Sequence, residues 1–183
     1  MQEEYFDILD ENGNKINLIK KRTEVHRDGD WHKAVHIWIV NENGDILLQR
    51  RASNKDSYPN MLDISCAGHL SARDDSITGA LRELKEELSL EINPNELNYI
   101  TTLKRSSEDE DKFVDNEFDD LYLLRTNKKI EDLTYQKEEI SEIFFVPYKE
   151  FKRMVDNQQS DLVIYSDVYQ ILFNLLDDEF DRE

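Results

Sequence analysis

Residues 76–88 read Ser-Ile-Thr-Gly-Ala-Leu-Arg-Glu-Leu-Lys-Glu-Glu-Leu, and they carry the clearest structural signal in the chain. Their apolar side chains recur at steps of three and four residues, which is typical of an α-helix with one buried face. Asp74, Asp75 or Ser76 can cap its start, because a short polar side chain accepts a hydrogen bond from a backbone N–H there. The pattern predicts a helix over residues 76–88.

The same helix concentrates acidic side chains on one face. Glu83, Glu86 and Glu87 stand at i, i+3 and i+4, so their carboxylates lie side by side. Like charges at this spacing destabilise an isolated helix by about 0.2–0.5 kcal/mol per pair. A hard cation would compensate, and Mg²⁺ binds through one or two carboxylates, water and phosphate oxygens. A solvated acidic face is the alternative that the helix alone leaves open.

Strand patterns surround this helix on both sides. They cover residues 5–9, 33–40, 46–50, 62–67, 97–104, 113–125 and 140–146, with turns at 10–13 and 41–44. Pro147 favours the first turn of a helix running through Val155. A last helix places apolar residues between Val168 and Leu176 on one face. Strands interleaved with helices and hairpins predict an α+β layered fold.

Composition narrows the class of function. The 183 residues fit one domain at roughly 150 residues each. The 41 acidic and 23 basic residues give a net charge of −18, which argues against binding a nucleic acid polymer. No apolar run reaches the roughly 20 residues that span a bilayer, and Met1–Tyr5 does not resemble a signal peptide. The single cysteine, Cys66, fits a reducing compartment, so we expect a cytoplasmic protein without membrane contact.

The region from Gly68 to Leu90 resembles a known motif. Gly68, Asp74 and the run Arg82-Glu-Leu-Lys-Glu-Glu-Leu-Ser-Leu90 match the spacing of the Nudix box, Gly-x5-Glu-x7-Arg-Glu-U-x-Glu-Glu-x-Gly-U, at every position. Two residues differ from that pattern: Asp74 stands where Glu is usual, and Ser89 where Gly is usual. Asp74 could act as an outer ligand or as a helix cap, and Ser89 is a less favourable helix stop than Gly.

The resemblance implies a Nudix-type α/β/α sandwich with a mixed sheet, the box helix and a C-terminal helix. The expected organisation is a single domain over 1–183, with an N-terminal strand segment (1–30) and a C-terminal helix (160–183). By analogy, Glu83, Glu86, Glu87 and the Gly68 carbonyl would bind Mg²⁺ or Mn²⁺, and Arg82 would hold the carboxylates. Glu83 is the first choice of general base, and Glu117 the second.

Similarity outside the box points to one branch of this superfamily. His26, His32, the run 47–52, Lys55, Tyr58-Pro59, Gly68-His69 and Val114–Glu117 are similar to type 1 isopentenyl diphosphate isomerase. That resemblance implies a second metal site and a diphosphate site. The implied metal ligands are His26, His32, His69, Asp115 and Glu117. The implied diphosphate contacts are Arg51 and Lys55.

Plainer roles are also open for several of these residues. His26 and His32 could simply be exposed, and His36 is expected to be a satisfied sheet residue. Arg50 and Arg51 are adjacent on a strand, so at most one should point into the site. Asp115 and Glu117 are two apart and share a strand face. Asp119 and Asp120 are expected to be solvated.

Two features favour hydrolysis over isomerisation. The isomerase family has a catalytic cysteine directly before Gly-His, whereas this chain has Ala67 there, and Cys66 should face the opposite side of the strand. The isomerase box is degenerate, but here its glutamates are complete. We therefore predict metal-dependent hydrolysis of a nucleoside-diphosphate or related small organic diphosphate.

Three alternatives accompany that prediction. The first is isopentenyl diphosphate isomerase activity, and the second is a non-enzymatic, nucleotide-binding Nudix module. The third concerns assembly: the acidic tail helix could pack on its own sheet or on a second subunit, as in a homodimer.

Overall fold

A computed structural model describes residues 3–55, 57–108 and 114–180. Its strands in that part of the chain are β1 Tyr5–Leu9, β2 Lys15–Lys21, β3 Trp31–Asn41, β4 Asp45–Arg51, β5 Leu62–Asp63, β6 Cys66–His69, β7 Leu97–Glu108, β8 Val114–Thr126 and β9 Ile140–Pro147. Its α-helices are α1 Arg22–Asp28, α2 Ser76–Leu88, α3 Tyr148–Asp156 and α4 Ser166–Phe180. None of these helices is both long and apolar enough to cross a membrane.

Strand β3 organises the sheet. It pairs in parallel with β8 from Trp31↔Asn116 to Asn41↔Thr126, and antiparallel with β6. Strand β7 pairs with β8, and β4 pairs with both β5 and β9. The β3–β4 turn is held by the Asn41 side-chain oxygen, which accepts hydrogen bonds from the backbone N–H groups of Asn43 and Asp45. The result is the mixed sheet that the sequence predicts.

Helices cover both faces of this sheet. Alternate side chains of β3 point in opposite directions, so Ile37 packs in the core that contains Leu84 of α2. Trp38 packs in the other core with α4, where its ring lies 5.8 Å from that of Tyr169 and where Leu172 is fully buried. The predicted α/β/α sandwich is confirmed, and α4 packs on the sheet of its own chain.

Helix α2 has the predicted bounds. Asp75, one of the three candidate caps, accepts a hydrogen bond of 2.8 Å from the Thr78 backbone N–H. At the other end Ser89 takes the left-handed conformation, with φ 52°, and its N–H bonds the Lys85 carbonyl. A serine therefore ends this helix in the conformation for which glycine is usual.

The prediction of one strand over residues 62–67 is wrong. Leu62–Asp63 pairs with β4, and Cys66–His69 pairs with β3, so the chain changes partner in between. The Ser65 hydroxyl makes this change possible. It accepts a hydrogen bond from the Ile39 N–H at 2.9 Å and donates one to the Leu47 carbonyl at 2.6 Å, which bridges β3 and β4 where no ladder runs.

Both terminal segments also differ from the predictions. Residues 1–30 are not strand alone, because α1 follows β2 and ends at Gly29, where φ is 68°. The C-terminal helix begins at Ser166 rather than at 160, because the Val163 N–H bonds the Leu62 carbonyl and holds the preceding residues against β5. Strand β7 extends beyond the predicted residue 104 to Glu108, while residues 113 and 181–183 lie outside the described part of the chain.

Two mutations in α4 test how this helix packs on the sheet. Leu172→Ala should lower the free energy of unfolding by about 2–5 kcal/mol, because it leaves a cavity against the sheet. Leu175→Ala, on the same helix but 37% exposed, should change it by about 0.5 kcal/mol or less. Urea unfolding followed by circular dichroism measures both, and equal losses would contradict the assigned burial of α4.

Candidate active site

A cavity of about 400 Å³ lies where α2 meets β3, β4, β6, β7 and β8. Most of the predicted site residues line it: Arg51, Lys55, Gly68, His69, Arg82, Glu83, Glu86, Glu87, Asp115 and Glu117. His26 and His32 do not line the cavity, but each has a ring nitrogen 3.5 Å from Asp115 Oδ1. The fold thus brings the two predicted groups of ligands to one place.

Gly68 allows the box helix to approach the sheet. A Cβ atom at residue 68 would lie 2.2 Å from the Glu83 carboxyl carbon, a distance that real Cβ atoms do not reach. Glycine therefore leaves room for the Glu83 carboxylate through its missing side chain, not through a left-handed backbone. The Glu83 carboxylate consequently rests directly on the backbone of β6.

Arg82 ties two of the glutamates to this strand. Its Nη1 donates to Glu83 Oε1 at 2.8 Å and to Glu86 Oε2 at 3.0 Å, and its Nη2 donates to the His69 carbonyl at 2.9 Å. These charge-assisted bonds fix the carboxylates against the cavity wall. Asp74 lies 3.7 Å from Arg82 Nε, whereas the helix cap is the neighbouring Asp75.

The nearby cations do not offset the cost of burying the charge of these glutamates. Burial raises the pKa of Glu87 to about 8, and Glu83 nearby adds to the shift. Burial also raises the pKa of Glu83 to about 7, although Arg82 acts in the opposite direction. The Glu87 Oε2 atom is buried without a hydrogen-bond partner among the described residues. A cation with oxygen ligands fits this donor set.

A second group, called here the histidine centre, consists of His26, His32, His69 and Asp115. One ligand atom from each lies within 4.8 Å of the others. Nδ1 of His32 donates to the Asp30 carbonyl at 3.0 Å, which leaves Nε2 to face Asp115. Backbone hydrogen bonds of this kind fix the ring orientation of metal-binding histidines.

The protonation states of the histidine centre also suit a metal. Burial lowers the pKa of His26 to about 3, and it lowers those of His32 and His69 as well. These rings are therefore neutral at pH 7, the form in which imidazole binds metals. Burial raises the pKa of Asp115 to about 7, and the Glu117 carboxylate adds to the shift. The alternative of exposed histidines is wrong, since His26 is 2% and His32 0% exposed.

The two predicted diphosphate contacts line the cavity as ion pairs. Arg51 Nη1 lies 3.0 Å from Asp63 Oδ2, and Arg51 Nε donates to the Ser57 carbonyl. Lys55 pairs with Glu139. Arg50 instead points away from the cavity, where it bonds Asp161 at 3.0 Å. Only one of the two adjacent arginines faces the site, as expected.

Three predictions around β8 are wrong. Asp119 and Asp120 are buried rather than solvated, because Arg105 binds Asp119 at 2.8 Å and Lys33 binds Asp120 at 2.7 Å. His36 is not a satisfied sheet residue, because its Nδ1 has no hydrogen-bond partner among the described residues and its ring lines the cavity. The local sequence gives no signal for Arg105, because only its cross-strand register places it opposite Glu117.

Among the described residues, carboxylates outnumber the cations that line the cavity. The carboxylates are Glu4, Asp63, Glu83, Glu86, Glu87, Asp115, Glu117 and Glu139, and the cations are Arg22, Arg51, Lys55, Arg82 and Arg105. Each cation is already paired with one of these carboxylates. Such a cavity repels a diphosphate unless it also binds metal ions.

The contact between Gly68 and Glu83 gives a direct test. Gly68→Ala should displace Glu83 and weaken Mn²⁺ binding by about 10–100-fold. Glu87→Gln should lose the same bound Mn²⁺, which identifies the site. Electron paramagnetic resonance measures the free Mn²⁺ in each titration. Gly79→Ala, near the start of α2, is the control and should bind Mn²⁺ normally, because a Cβ there meets the Leu70 side chain and no carboxylate. Unchanged affinity in Gly68→Ala would contradict the assigned contact.

Comparison with known proteins identifies the family of this chain. The NUDIX domain model matches residues 30–165. Nudix hydrolase 3 of Arabidopsis thaliana is 42% identical over 182 residues, which cover 96% of this chain and 24% of that protein. The chain thus spans about a quarter of the length of this relative.

Two further similarities extend beyond the box. Isopentenyl-diphosphate Delta-isomerase 1 of Mesocricetus auratus is 27% identical over 181 residues, covering 90% of this chain and 78% of that protein. A crystal structure from Deinococcus radiodurans shares the fold, with a TM-score of 0.67 and 19% identity over 93% of this chain and 98% of that one. Because the NUDIX domain model matches more than half of its length, the chain belongs to the NUDIX domain family.

Proposed function

We propose that this protein hydrolyses the diphosphate linkage of a small organic diphosphate, such as a nucleoside-diphosphate derivative, with Mg²⁺ or Mn²⁺. The observation that carries the proposal is the geometry of two glutamates: Glu87 is buried with an Oε2 that has no hydrogen-bond partner among the described residues, and the Glu83 carboxylate lies against Gly68. A purely structural helix face would not bury carboxylates in this state, because desolvating them is costly.

The residues divide into distinct roles. Glu83, Glu86, Glu87 and the Gly68 carbonyl hold the metal, and Arg82 fixes the carboxylates through its bonds to Glu83 and Glu86. When bound, a divalent metal neutralises diphosphate oxygens and lowers the pKa of its bound water. Family membership supports divalent-metal dependence, and the choice of Mg²⁺ or Mn²⁺ belongs to this proposal.

Glu83 is proposed as the general base. Its Oε1 accepts from Arg82, while its Oε2 receives no hydrogen bond from the described residues and can take a proton from the attacking water. Glu117, which also lines the cavity, is the second choice. Arg51 and Lys55 are proposed to bind the diphosphate, since both reach the cavity with their charges already oriented by Asp63 and Glu139.

The histidine centre is proposed as a second metal site. His26, His32, His69 and Asp115 offer neutral imidazoles and a carboxylate, and Glu117 Oε1 lies 3.2 Å from His69 Nε2. Nitrogen and oxygen ligands in this proportion suit Zn²⁺ or Mn²⁺. The whole chain is proposed to act as one domain on a small molecule in the cytoplasm, where a lone thiol such as Cys66 stays reduced.

A phosphate-release assay with a panel of organic diphosphates tests the proposal. Turnover should require Mg²⁺ or Mn²⁺ and stop with a chelator. Glu86→Gln and Glu87→Gln should each lower kcat by about 10²–10³-fold while the circular dichroism spectrum stays unchanged. Glu91→Gln, whose side chain pairs with Lys85 at the surface, is the control. A near-normal kcat in Glu87→Gln would contradict the assignment of Glu87 as a metal ligand.

Isomerisation of isopentenyl diphosphate is the second candidate, because the histidine centre and the relative from Mesocricetus auratus both favour it. The cysteine position opposes it. Ala67 lines the cavity where the isomerase family has its cysteine, whereas Cys66 packs in the core beneath α2. Burial raises the pKa of the Cys66 thiol, which disfavours a reactive thiolate.

Cys66→Ala separates the two activities. Hydrolysis should be nearly unchanged, because the thiol does not line the cavity. Proton exchange into isopentenyl diphosphate in D₂O, followed by NMR, should be absent in the wild type. If the wild type shows this proton exchange and Cys66→Ala abolishes it, the protein is an isomerase.

A further inference from the structure

Arg105 lines the cavity and binds Glu117, which lies beside the histidine centre. It stands opposite Glu117 in the β7–β8 register, and its Nη2 donates to Glu117 Oε2. Its Nε donates to Asp119 Oδ2 at 2.8 Å, and its guanidinium carbon lies 5.0 Å from the centre of the Tyr165 ring. One guanidinium is therefore held by two carboxylates and an aromatic ring.

Glu117 faces two different partners through its two oxygens. Oε2 accepts from Arg105, while Oε1 lies 3.2 Å from His69 Nε2 and 3.8 Å from His32 Nε2. The side chain is 3% exposed, so water competes little for either oxygen. Fixing Oε2 on the arginine thus turns Oε1 towards the histidine centre.

The two acids beside Arg105 could themselves attract a metal. One ligand atom each from His36, Glu117 and Asp119 lies within 4.8 Å of the others. The guanidinium already binds both of these carboxylates, and its fixed fork suits two acceptors better than a lysine would. Arg105 therefore supplies the positive charge that this acidic group needs.

We propose that Arg105 is a positioning residue for the histidine centre, holding Glu117 so that Oε1 completes the ligand set of His26, His32, His69 and Asp115. The proposal rests on the proposed function, because it requires that the histidine centre binds a metal. The simpler alternative is a structural ion pair between strands, which would stabilise the sheet without affecting metal affinity.

Co²⁺ titration of the metal-free full chain distinguishes these roles. Co²⁺ bound in the histidine centre is identified as the visible absorption band that is present in the wild type and absent in His32→Ala. Arg105→Ala should weaken this binding by about 10–100-fold and shift the band, because the ligand set changes. Arg105→Lys should lie between wild type and Arg105→Ala, because lysine keeps the charge without the fork. Millimolar guanidinium should restore part of the affinity of Arg105→Ala.

Arg50→Ala is the matched control. Arg50 also forms ion pairs from a strand, with Glu142 and Asp161, and its side chain is 29% exposed against 25% for Arg105. It does not line the cavity, so its loss should leave the Co²⁺ affinity and the absorption band unchanged. Thermal unfolding of both variants separates lost stability from lost metal binding.

The outcomes separate this inference from the proposed function. Wild-type affinity and an unshifted band in Arg105→Ala would overturn the positioning role alone. If that variant does not fold, Asp119→Asn removes the charge that holds Arg105, and it should also weaken Co²⁺ binding. Unchanged binding there would overturn the role as well. Absence of a His32-dependent band in the wild type would overturn both the inference and the second metal site.

Discussion

Burial of like charges around one cavity is the constraint on which the rest of this structure depends. Glu83, Glu87, Asp115 and Glu117 lie in surroundings that raise their pKa values, so each prefers an added cation. In the described part of the chain, each arginine that lines the cavity is already paired with a carboxylate. The remaining charge is the basis of our proposal that the cavity binds metal ions and, through them, an anionic substrate.

A few close contacts of the fold bring these charged side chains together. Parallel pairing of β3 with β8 places His32 opposite Glu117, while antiparallel pairing of β3 with β6 places His69 on the other side of β3. Gly68 then admits the Glu83 carboxylate to the backbone of β6. Strands β3, β6 and β8, which come from separate parts of the chain, therefore meet beside α2.

Local sequence patterns could predict only part of this arrangement. The three-and-four spacing predicts α2 to the residue, and the offsets of Glu83, Glu86 and Glu87 predict their shared face. Helix α1 has seven residues with only Val25 and His26 buried, too few to produce an apolar periodicity. The change of partner at Ser65 depends on a hydroxyl bridging two strands. The contact of Arg105 with Glu117 depends on the pairing register of β7 and β8, which the alternation of polar and apolar residues does not specify.

The N-terminal segment has a role that its modest packing conceals. Phe6, Ile8 and Val25 form a small apolar cluster of their own, and β1 meets β3 through the single pair Leu9↔Trp31. The ring of Phe6 stacks on His32 and His69, at 5.3 and 4.8 Å between centroids. The family match begins only at residue 30. A fragment trimmed to residues 30–165 would lack both His26 and Phe6, so the family match begins inside the structural unit that forms the histidine centre.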